Sequence, residues 1–370
     1  MRPSIFPTPF LVFLLLACQS DPGSPLGSAA AKGGTGGGAG AGRITVYGQN
    51  IYVGTDVDAI FAALVSPDPN DDLPTLVQQL LVLQQTDFTA RAGGIAAEID
   101  RARPDVVGLN EISRIDVDLT PLGLPVTAHE DFLPELLDAI AARGLHYAVA
   151  GQVQNLVAAP LPGVSYIDWD VVLVNTDRVT VGPGVVERNF SDNLGPIMPG
   201  TNVIRGWVGI PATINGRAYT VVATHPESDL QGVPGIDLLR AAQVGELVAS
   251  LPTDRPVILL GDFNDVVGSP MYQVITGAGF EDVWAELRPG VAGLTCCGPG
   301  DLAGSSRPGY SKRIDYVFAR GLDGPPGRVM GQIDRFGTNP ADQVRGPSYR
   351  LWMSDHAGLV ASLLTPASVR

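Results

Sequence analysis

Residues 256–265, which read P-V-I-L-L-G-D-F-N-D, decide the fold. Residues 257–260 form a short, uninterrupted apolar run, which is typical of a β-strand buried on both faces. Asp262 and Asn264 follow two positions apart, so in an extended backbone both side chains point to one side of the sheet. Ligands of open α/β sheets bind beside such strand ends. The stretch therefore predicts either a hydrolytic site or a simple turn that closes the strand.

The composition is that of a globular chain. The 370 residues are 45% hydrophobic and 17% charged, which suffices for one large α/β domain with a sizeable core. The formal net charge of −14 at pH 7 argues against broad electrostatic clamping of nucleic acid. It does not exclude a substrate phosphate that is bound through a divalent metal ion.

The amino terminus has the pattern of an export signal. Residues 10–17 form an apolar run too short to span a bilayer, and residues 15–18, L-L-A-C, resemble the lipobox of bacterial lipoproteins. In such proteins the cysteine is lipidated, so Cys18 is the predicted lipidation site. The alternative is an ordinary signal peptide that happens to contain a cysteine.

The residues after Cys18 have the composition of a tether. Residues 19–42 are rich in Gly, Ala, Ser and Pro and have no period that could bury a face, which predicts a flexible linker. With residues 1–18 as a lipoprotein signal peptide, the folded domain would cover residues 43–366. We expect an exported protein, either anchored in a membrane of the bacterial cell envelope or secreted, with no obligate protein partner.

Cys296 and Cys297 are the only other cysteines. Adjacent cysteines can form a disulfide, remain thiols or bind a soft metal ion. The sequence has no second cysteine pair and no histidine near them to complete a zinc set. Because an exported protein meets an oxidising compartment, we interpret the pair as structural and leave its disulfide state open.

Strand and helix signals alternate along the chain. Asn215-Gly216 joins two apolar segments and is the strongest short hairpin signal, which favours a mixed sheet over a purely parallel one. Apolar periodicity predicts helices at residues 73–85, 88–103 (capped by Asp87), 132–143, 237–251 and 269–277. Strands are predicted at residues 44–47, 105–109, 146–150, 170–175, 202–210, 218–224, 257–260, 312–320, 328–335 and 357–364, and long loops at 113–130, 156–167 and 287–309.

Side chains that bind metal ions or move protons repeatedly follow these strands. Each has a structural explanation when taken alone: Asn50 fits a turn, and Asp315 shares a strand face with Arg313 and could pair with it. Their recurrence at strand ends favours one shared site. The residues are Asn50, Glu111, His225, Asp262, Asn264, Asp315, Asp355 and His356.

Over residues 43–364 the motifs resemble, in order, those of the endonuclease/exonuclease/phosphatase superfamily. They are G-Q-N at 48–50, G-L-N-E at 108–111, A-T-H at 223–225, G-D-F-N at 261–264, R-I-D-Y at 313–316 and S-D-H at 354–356. The resemblance implies a four-layer α/β/β/α sandwich in which two mixed β-sheets pack face to face with helices outside. It is strongest toward exported bacterial members, through residues 295–302 and 352–358.

The resemblance also implies roles for the matching residues. Glu111 with Asn50 would form the principal site for Mg²⁺ or Mn²⁺, because carboxylate and amide oxygens suit these hard ions. Asp355 would be a further metal or water ligand. Asp262 would position and deprotonate the attacking water, and Asn264 would hold a phosphate oxygen.

The two histidines would stabilise the transition state of phosphoester hydrolysis. His356 would contact the scissile phosphate while Asp315 orients its ring. His225 would stabilise developing charge or assist the leaving oxygen. Asp170 and Arg205 lie where the family often contributes to the phosphate pocket, so both are predicted to bind substrate.

Two departures from the family pattern bear on these roles. Asn110 precedes Glu111 where glutamine is commoner, and we expect this to matter little because the side chain lies before the ligand. Pro226 and Glu227 follow His225 where leucine is usual, which leaves the role of this histidine open.

Together these features predict a divalent-metal-dependent phosphoesterase that hydrolyses phosphodiester or phosphomonoester bonds. A nuclease would need arginines along a groove and would be sensitive to salt. A lipid or small-molecule phosphodiesterase would need an apolar rim, which residues 119–126 and 156–167 could provide. The alternative is a catalytically silent binding lipoprotein on the same fold, whose signature would be a missing ligand or histidine; the sequence lacks none of them.

Overall fold

The computed structural model describes residues 42–68, 70–229, 234–304, 308–322 and 329–365. The predicted signal peptide with Cys18, the linker up to residue 41, and residues 328 and 366 lie outside the described residues. Residue 42, the last of the predicted linker, begins the first strand.

The described residues alternate between strands and helices, with two short 3₁₀ segments at Thr120–Leu122 and Pro340–Asp342. The helices are α1 (Val57–Leu64), α2 (Asp72–Thr86), α3 (Phe88–Ala102), α4 (Phe132–Ala141), α5 (Ile236–Ser250), α6 (Pro270–Gly277) and α7 (Val283–Leu287). The strands are β1 (Gly42–Asn50), β2 (Val106–Asp118), β3 (Thr127–Asp131), β4 (Tyr147–Ala158), β5 (Val164–Asn175), β6 (Val179–Val181), β7 (Val186–Asn189), β8 (Gly195–Met198), β9 (Thr201–Val203), β10 (Gly206–Ile214), β11 (Arg217–Thr224), β12 (Val257–Asp262), β13 (Glu281–Asp282), β14 (Asp315–Arg320), β15 (Gly331–Phe336), β16 (Val344–Arg345), β17 (Arg350–Leu351) and β18 (Gly358–Thr365).

Two mixed β-sheets organise the domain. The larger has the strand order β15-β18-β1-β2-β5-β4-β9-β8, with β3 paired to β2. The smaller has the order β13-β14-β12-β11-β10-β6, with β7 paired to β10. In the first, β1 pairs parallel to β2 and antiparallel to β18; in the second, β12 pairs parallel to β11 and antiparallel to β14. The predicted α/β sandwich with two mixed sheets is confirmed.

The central strand β12 is buried on both faces, as its apolar run predicts. Ile258 and Leu260 belong to the apolar core between the two sheets. Val257 and Leu259 point the other way and pack in a second apolar cluster, to which α5 and α6 contribute. Because side chains alternate along a strand, these four apolar residues pack on both sides of the sheet, two against the other sheet and two against the helices.

Two motif glycines allow the sheets to approach each other at this point. A Cβ atom at Gly108 would lie 2.0 Å from Cδ1 of Leu260, and one at Gly48 would lie 3.3 Å from Cβ of Leu260. Leu260 therefore occupies space that any larger residue at Gly108 would fill. These glycines make room for Leu260 of β12 against β1 and β2.

Two of the predicted loops are mostly strand. β2 continues to Asp118 and β3 follows at Thr127–Asp131, whereas β4 ends at Ala158 and β5 begins at Val164. These segments are stabilised by antiparallel pairing of β5 with both β2 and β4, which residues distant in sequence provide. Local sequence signals do not reveal such pairing.

The other element predictions fare better. Helices α2 to α6 lie where periodicity predicts them, and the side chain of Asp87 caps α3 by accepting from Ala90 N. Asn215 and Gly216, with φ of 51° and 77°, connect β10 to β11. The segment predicted as one strand at 202–210 is divided between β9 and β10, and α1 and α7 were not predicted. No helix among the described residues is long and apolar enough to cross a membrane.

Gly108→Ala is expected to lower the free energy of unfolding by about 1–3 kcal/mol, because its methyl group overlaps Leu260. In the double variant with Leu260→Ala the two costs should be less than additive, since they concern one contact. Urea unfolding measures both. Gly93→Ala on α3 is the control, since nothing lies within 4 Å of its new Cβ. Equal effects of Gly108→Ala and Gly93→Ala would contradict this packing role.

Candidate active site

Most of the predicted site residues meet in one cavity of about 350 Å³. It lies beside the ends of β1, β11 and β12, at the edge where the sequence pattern places ligands. The predicted residues that line it are Glu111, Arg205, His225, Asp262, Asn264, Asp355 and His356.

Asp262 lies between the two histidines. Its Oδ2 atom is 3.6 Å from Nε2 of His225 and 3.8 Å from Nε2 of His356. β12 ends at Asp262, and Asn264 follows in a left-handed conformation (φ 53°), so that its backbone N–H donates to Asp262 Oδ1 at 2.8 Å. The backbone is thus not extended as far as Asn264. The sequence left open a polar site or a turn that closes the strand, and here the turn itself carries the polar residues.

His356 is oriented by Asp315. The ring Nδ1 lies 2.8 Å from Oδ2 of Asp315, which pairs across β14 and β12 with Asp262. Arg313 does not pair with Asp315; it forms a buried salt bridge of 2.7 Å with Asp282. Asp315 therefore keeps its carboxylate for the histidine, as the resemblance implies.

His225 is held from behind by Arg205 and Glu227. Nη1 of Arg205 lies 3.1 Å from Nδ1 of His225, and because a guanidinium can only donate, Nδ1 is the acceptor. The proton of the neutral ring then sits on Nε2, which faces Asp262. Nε of Arg205 lies 3.4 Å from the buried Glu227 carboxylate. Glu227, one of the two residues that depart from the family pattern after His225, is thus the counter-ion of Arg205, and Arg205 positions His225.

Asp170 lies beneath the cavity rather than on its wall. It is fully buried, accepts a 2.8 Å hydrogen bond from Nδ2 of Asn110, and has its Oδ1 3.9 Å from Nδ1 of His225. Asp168, two residues earlier on the same face of β5, lines the cavity instead. Of the two aspartates in the D-W-D pattern at 168–170, Asp168 therefore lines the cavity. It was not among the residues predicted from the sequence.

Glu111 projects into the cavity from a β-bulge. The register of β2 against β5 shifts here, and Glu111 has a φ of 60°, which turns its side chain away from the strand pattern. Its oxygens accept from Asn50 Nδ2 at 2.8 Å and from Val53 N at 2.9 Å. Nδ2 of Asn50 also lies 3.1 Å from Oδ2 of Asp262, so one amide connects the two carboxylates.

A model of the Endonuclease/Exonuclease/phosphatase family matches residues 50–356. This chain belongs to the endonuclease/exonuclease/phosphatase family. Members of this family are phosphoester hydrolases. No curated protein matches the sequence.

Solved structures share the fold at low identity. An endonuclease/exonuclease/phosphatase from Beutenbergia cavernae superposes with a TM-score of 0.55 at 21% identity, over 89% of this chain and 73% of that one. A family protein from Bacteroides thetaiotaomicron gives 0.53 at 15%, over 88% and 96%. D. rerio TDP2 complexed with single strand DNA product gives 0.50 at 16%, over 87% and 98%. At these identities the likeness establishes the fold alone, and the exported bacterial branch stays a prediction.

Enzymes of this family generally use divalent metals, and the residues present fit such an ion. Asp262, Asp315 and His356, a different set from the predicted ligands, bring potential ligand atoms within 4.8 Å of one another, and one buried oxygen of Asp315 has no hydrogen-bond partner. Burial raises the pKa of Asp355 to about 6, and nearby Glu111 adds to the rise. Carboxylates crowded in this way favour a cation among them. The ligand roles of Asn50, Glu111 and Asp355 stay predictions.

The two histidines differ in charge at neutral pH. Burial, together with the positive charge of Arg205, lowers the pKa of His225 well below its usual value. Burial also opposes a charge on His356, but Asp315, Asp355 and Asp262 outweigh it and raise the pKa of His356 well above the usual value. Asp262 of this chain therefore faces one neutral imidazole, that of His225, and one imidazolium, that of His356. Such a difference in charge between two nearby titratable groups is typical of acid–base pairs.

Asn110 is the main residue that the sequence analysis undervalued. Its fully buried side chain donates to Asp170 and to the Thr224 carbonyl oxygen at 2.8 and 3.1 Å, and accepts from Asp262 N at 2.9 Å. The amide joins both sheets under the site, and the expectation that asparagine in place of glutamine matters little stays a prediction. The available signal was a polar amide after a buried strand, which must find hydrogen-bond partners.

Asp315→Asn is expected to move the alkaline limb of the pH–rate profile to lower pH by about one to three units. The pKa of His356 falls when its carboxylate partner is removed, so the imidazolium loses its proton earlier as pH rises. NMR titration of the imidazole and kcat/KM against pH both measure the shift. Glu227→Gln, which acts on His225, is the control and should leave this limb in place. An unmoved limb in Asp315→Asn would refute the orienting role.

Proposed function

We propose that this protein is a divalent-metal-dependent phosphoester hydrolase that cleaves phosphodiester or phosphomonoester bonds. The observation that carries the proposal is the position of Asp262, 3.6 and 3.8 Å from the Nε2 atoms of two differently charged histidines. Glu111 and Asp355 line the same cavity. A base flanked by an imidazolium and beside hard oxygen ligands suits in-line attack of water on phosphorus.

Asp262 is the general base in this proposal. Burial raises the pKa of its carboxyl, which brings its proton affinity closer to that needed near neutral pH. His356, held as an imidazolium by Asp315, donates to a phosphoryl oxygen as negative charge develops there. His225 presents its Nε2–H to the same centre, and Asn264 holds a further phosphate oxygen.

Glu111 and Asp355 would hold Mg²⁺ or Mn²⁺, and Asn50 would orient Glu111 through its amide. The bound ion would polarise a phosphoryl oxygen and neutralise developing charge. Oxygen donors match either ion, so the donor set does not choose between them.

The cavity wall favours a small or lipid-like phosphodiester over a long nucleic acid. Among the described residues that line the cavity, Arg205 is the only arginine or lysine, and Phe61, Leu156 and Ile197 provide an apolar wall. The predicted rim at 156–167 thus contributes Leu156 and Tyr166, whereas no residue of 119–126 lines the cavity. Nucleic acid is the second candidate, because D. rerio TDP2, with the same fold, was solved with a single-strand DNA product.

We also propose that the protein is exported and held at a bacterial envelope membrane by lipidated Cys18. The support is the sequence of residues 10–18 and the tether-like composition of residues 19–42.

With Mg²⁺ or Mn²⁺ the full-length chain should cleave bis-p-nitrophenyl phosphate and a member of a panel of sphingomyelin, phosphoinositides, single-stranded DNA, plasmid DNA and RNA. EDTA should abolish turnover, and Asp262→Asn should lower kcat by about 10²- to 10⁴-fold. Mg²⁺ should also raise the Tm of the wild type but not of Glu111→Gln. Glu286→Gln, an exposed carboxylate on α7, is the matched control.

The outcomes separate the alternatives. Preferred cleavage of lipid or small diesters would support the substrate class inferred from the cavity wall. Preferred cleavage of nucleic acid, with a steep loss of activity in salt, would replace that class with a nuclease. If the chain shows no turnover and no stabilisation by metal, the enzyme proposal fails and the silent binding lipoprotein remains.

Cys18→Ala should release the protein from the membrane fraction when it is expressed with its own amino terminus in a bacterial host. Wild-type protein should incorporate a labelled fatty acid and the variant should not, because the thiol is the site of attachment. Unlabelled, freely soluble wild-type protein would instead support cleavage as an ordinary signal peptide.

A further inference from the structure

The Cys296–Cys297 disulfide lies beside the proposed catalytic histidine. Cys296 is fully buried, whereas Cys297 is exposed and lines the same cavity as Asp262 and His356. The loop that holds it thus forms part of the cavity wall. The phosphoesterase proposed above assigns no role to either sulfur atom.

Hydrogen bonds fix this loop to both sides of the site. Gly298 N donates to the Asp355 carbonyl oxygen at 2.7 Å, and Ala357 N donates to that of Thr295 at 2.8 Å. Oγ1 of Thr295 accepts from Asp315 N at 3.2 Å. The sulfur atoms are therefore carried on a segment that is bonded to the backbone around His356 and to that of its partner Asp315.

Folding also supplies the ligand that the local sequence lacks. The two Sγ atoms and one ring nitrogen of His356 lie within 4.8 Å of one another. Two sulfurs and one imidazole are the donors that Zn²⁺, Cd²⁺ and Cu⁺ prefer, whereas Mg²⁺ prefers oxygen. Three protein ligands with an open fourth position are typical of an accessible metal site.

We propose that reduction of the disulfide opens a soft-metal site formed by Cys296, Cys297 and His356. A dithiol supplies two electrons and two protons to the S–S bond and is itself oxidised to a disulfide, which leaves two thiols. Binding of Cd²⁺ or Zn²⁺ then releases three protons to solvent, one from each thiol and one from the His356 imidazolium, and the ion is held by two thiolates and the neutral imidazole. The oxidised pair cannot bind in this way.

A metal ion at this site would block hydrolysis, because a nitrogen of His356 would be occupied by the ion. This consequence rests on the proposed function, but the metal site itself does not. The two are distinguished by reading metal binding directly and by assaying Mg²⁺-dependent hydrolysis separately on the oxidised protein.

Cd²⁺ is the probe, since its thiolate charge-transfer absorption reports sulfur ligation without any activity. The full-length chain carries Cys18→Ser so that Cys296 and Cys297 are its only cysteines. After reduction with dithiothreitol and removal of the reductant under argon, titration should show one Cd²⁺ per chain with this absorption. The oxidised chain should show none, and circular dichroism checks that the reduced chain stays folded.

Three variants test the ligand set on the reduced protein. Cys297→Ser should lose most of the absorption, and His356→Ala should weaken Cd²⁺ binding by more than about tenfold. His129→Ala, an exposed histidine on β3, is the matched control and should bind as the wild type does. No absorption in the reduced wild type, a pair that is reduced only on unfolding, or undiminished affinity in His356→Ala would each overturn the proposal.

Discussion

The site depends on one buried amide, that of Asn110. It connects β2 of the larger sheet to β11 and β12 of the smaller sheet, and each of its polar atoms has a partner. A buried amide is costly unless it is satisfied, so these bonds tie the sheets together at one register. The contact requires a bare backbone at Gly261, whose φ is 143° and whose Cβ would lie 2.1 Å from the Thr224 carbonyl oxygen.

The position of Asp262, which Asn110 fixes, determines the electrostatics of the site. The backbone N–H of Asp262 donates to Oδ1 of Asn110, and its carboxylate presents Oδ2 to two imidazoles. One ring has an arginine behind it and stays neutral; the other has a carboxylate behind it and becomes charged. The same side-chain type thus acquires two chemical characters, because burial strengthens the effect of each nearest charged group.

The backbone at the site departs from the regular strand geometry around it. Glu111 and Asn264 both have positive φ, an uncommon conformation for residues with side chains, and each follows a strand segment that is tied to Asn110. These departures turn side chains into the cavity that straight strands would direct elsewhere. The cysteine loop closes another side through backbone bonds around His356, so the histidine is the common element of the proposed hydrolytic and soft-metal sites.

The sequence by itself determined the fold class, the family and seven of the residues that line the cavity, because apolar runs ending in polar motifs are local signals. It also placed five helices and the Asn215-Gly216 hairpin. Only the tertiary structure showed that residues 113–130 and 156–167 are largely strand, since their hydrogen bonds go to distant segments. It alone decided the partner of Arg313, the roles of Asn110 and Glu227, and the approach of His356 to the cysteines. Each of these is a contact between residues far apart in the chain, which no local pattern encodes.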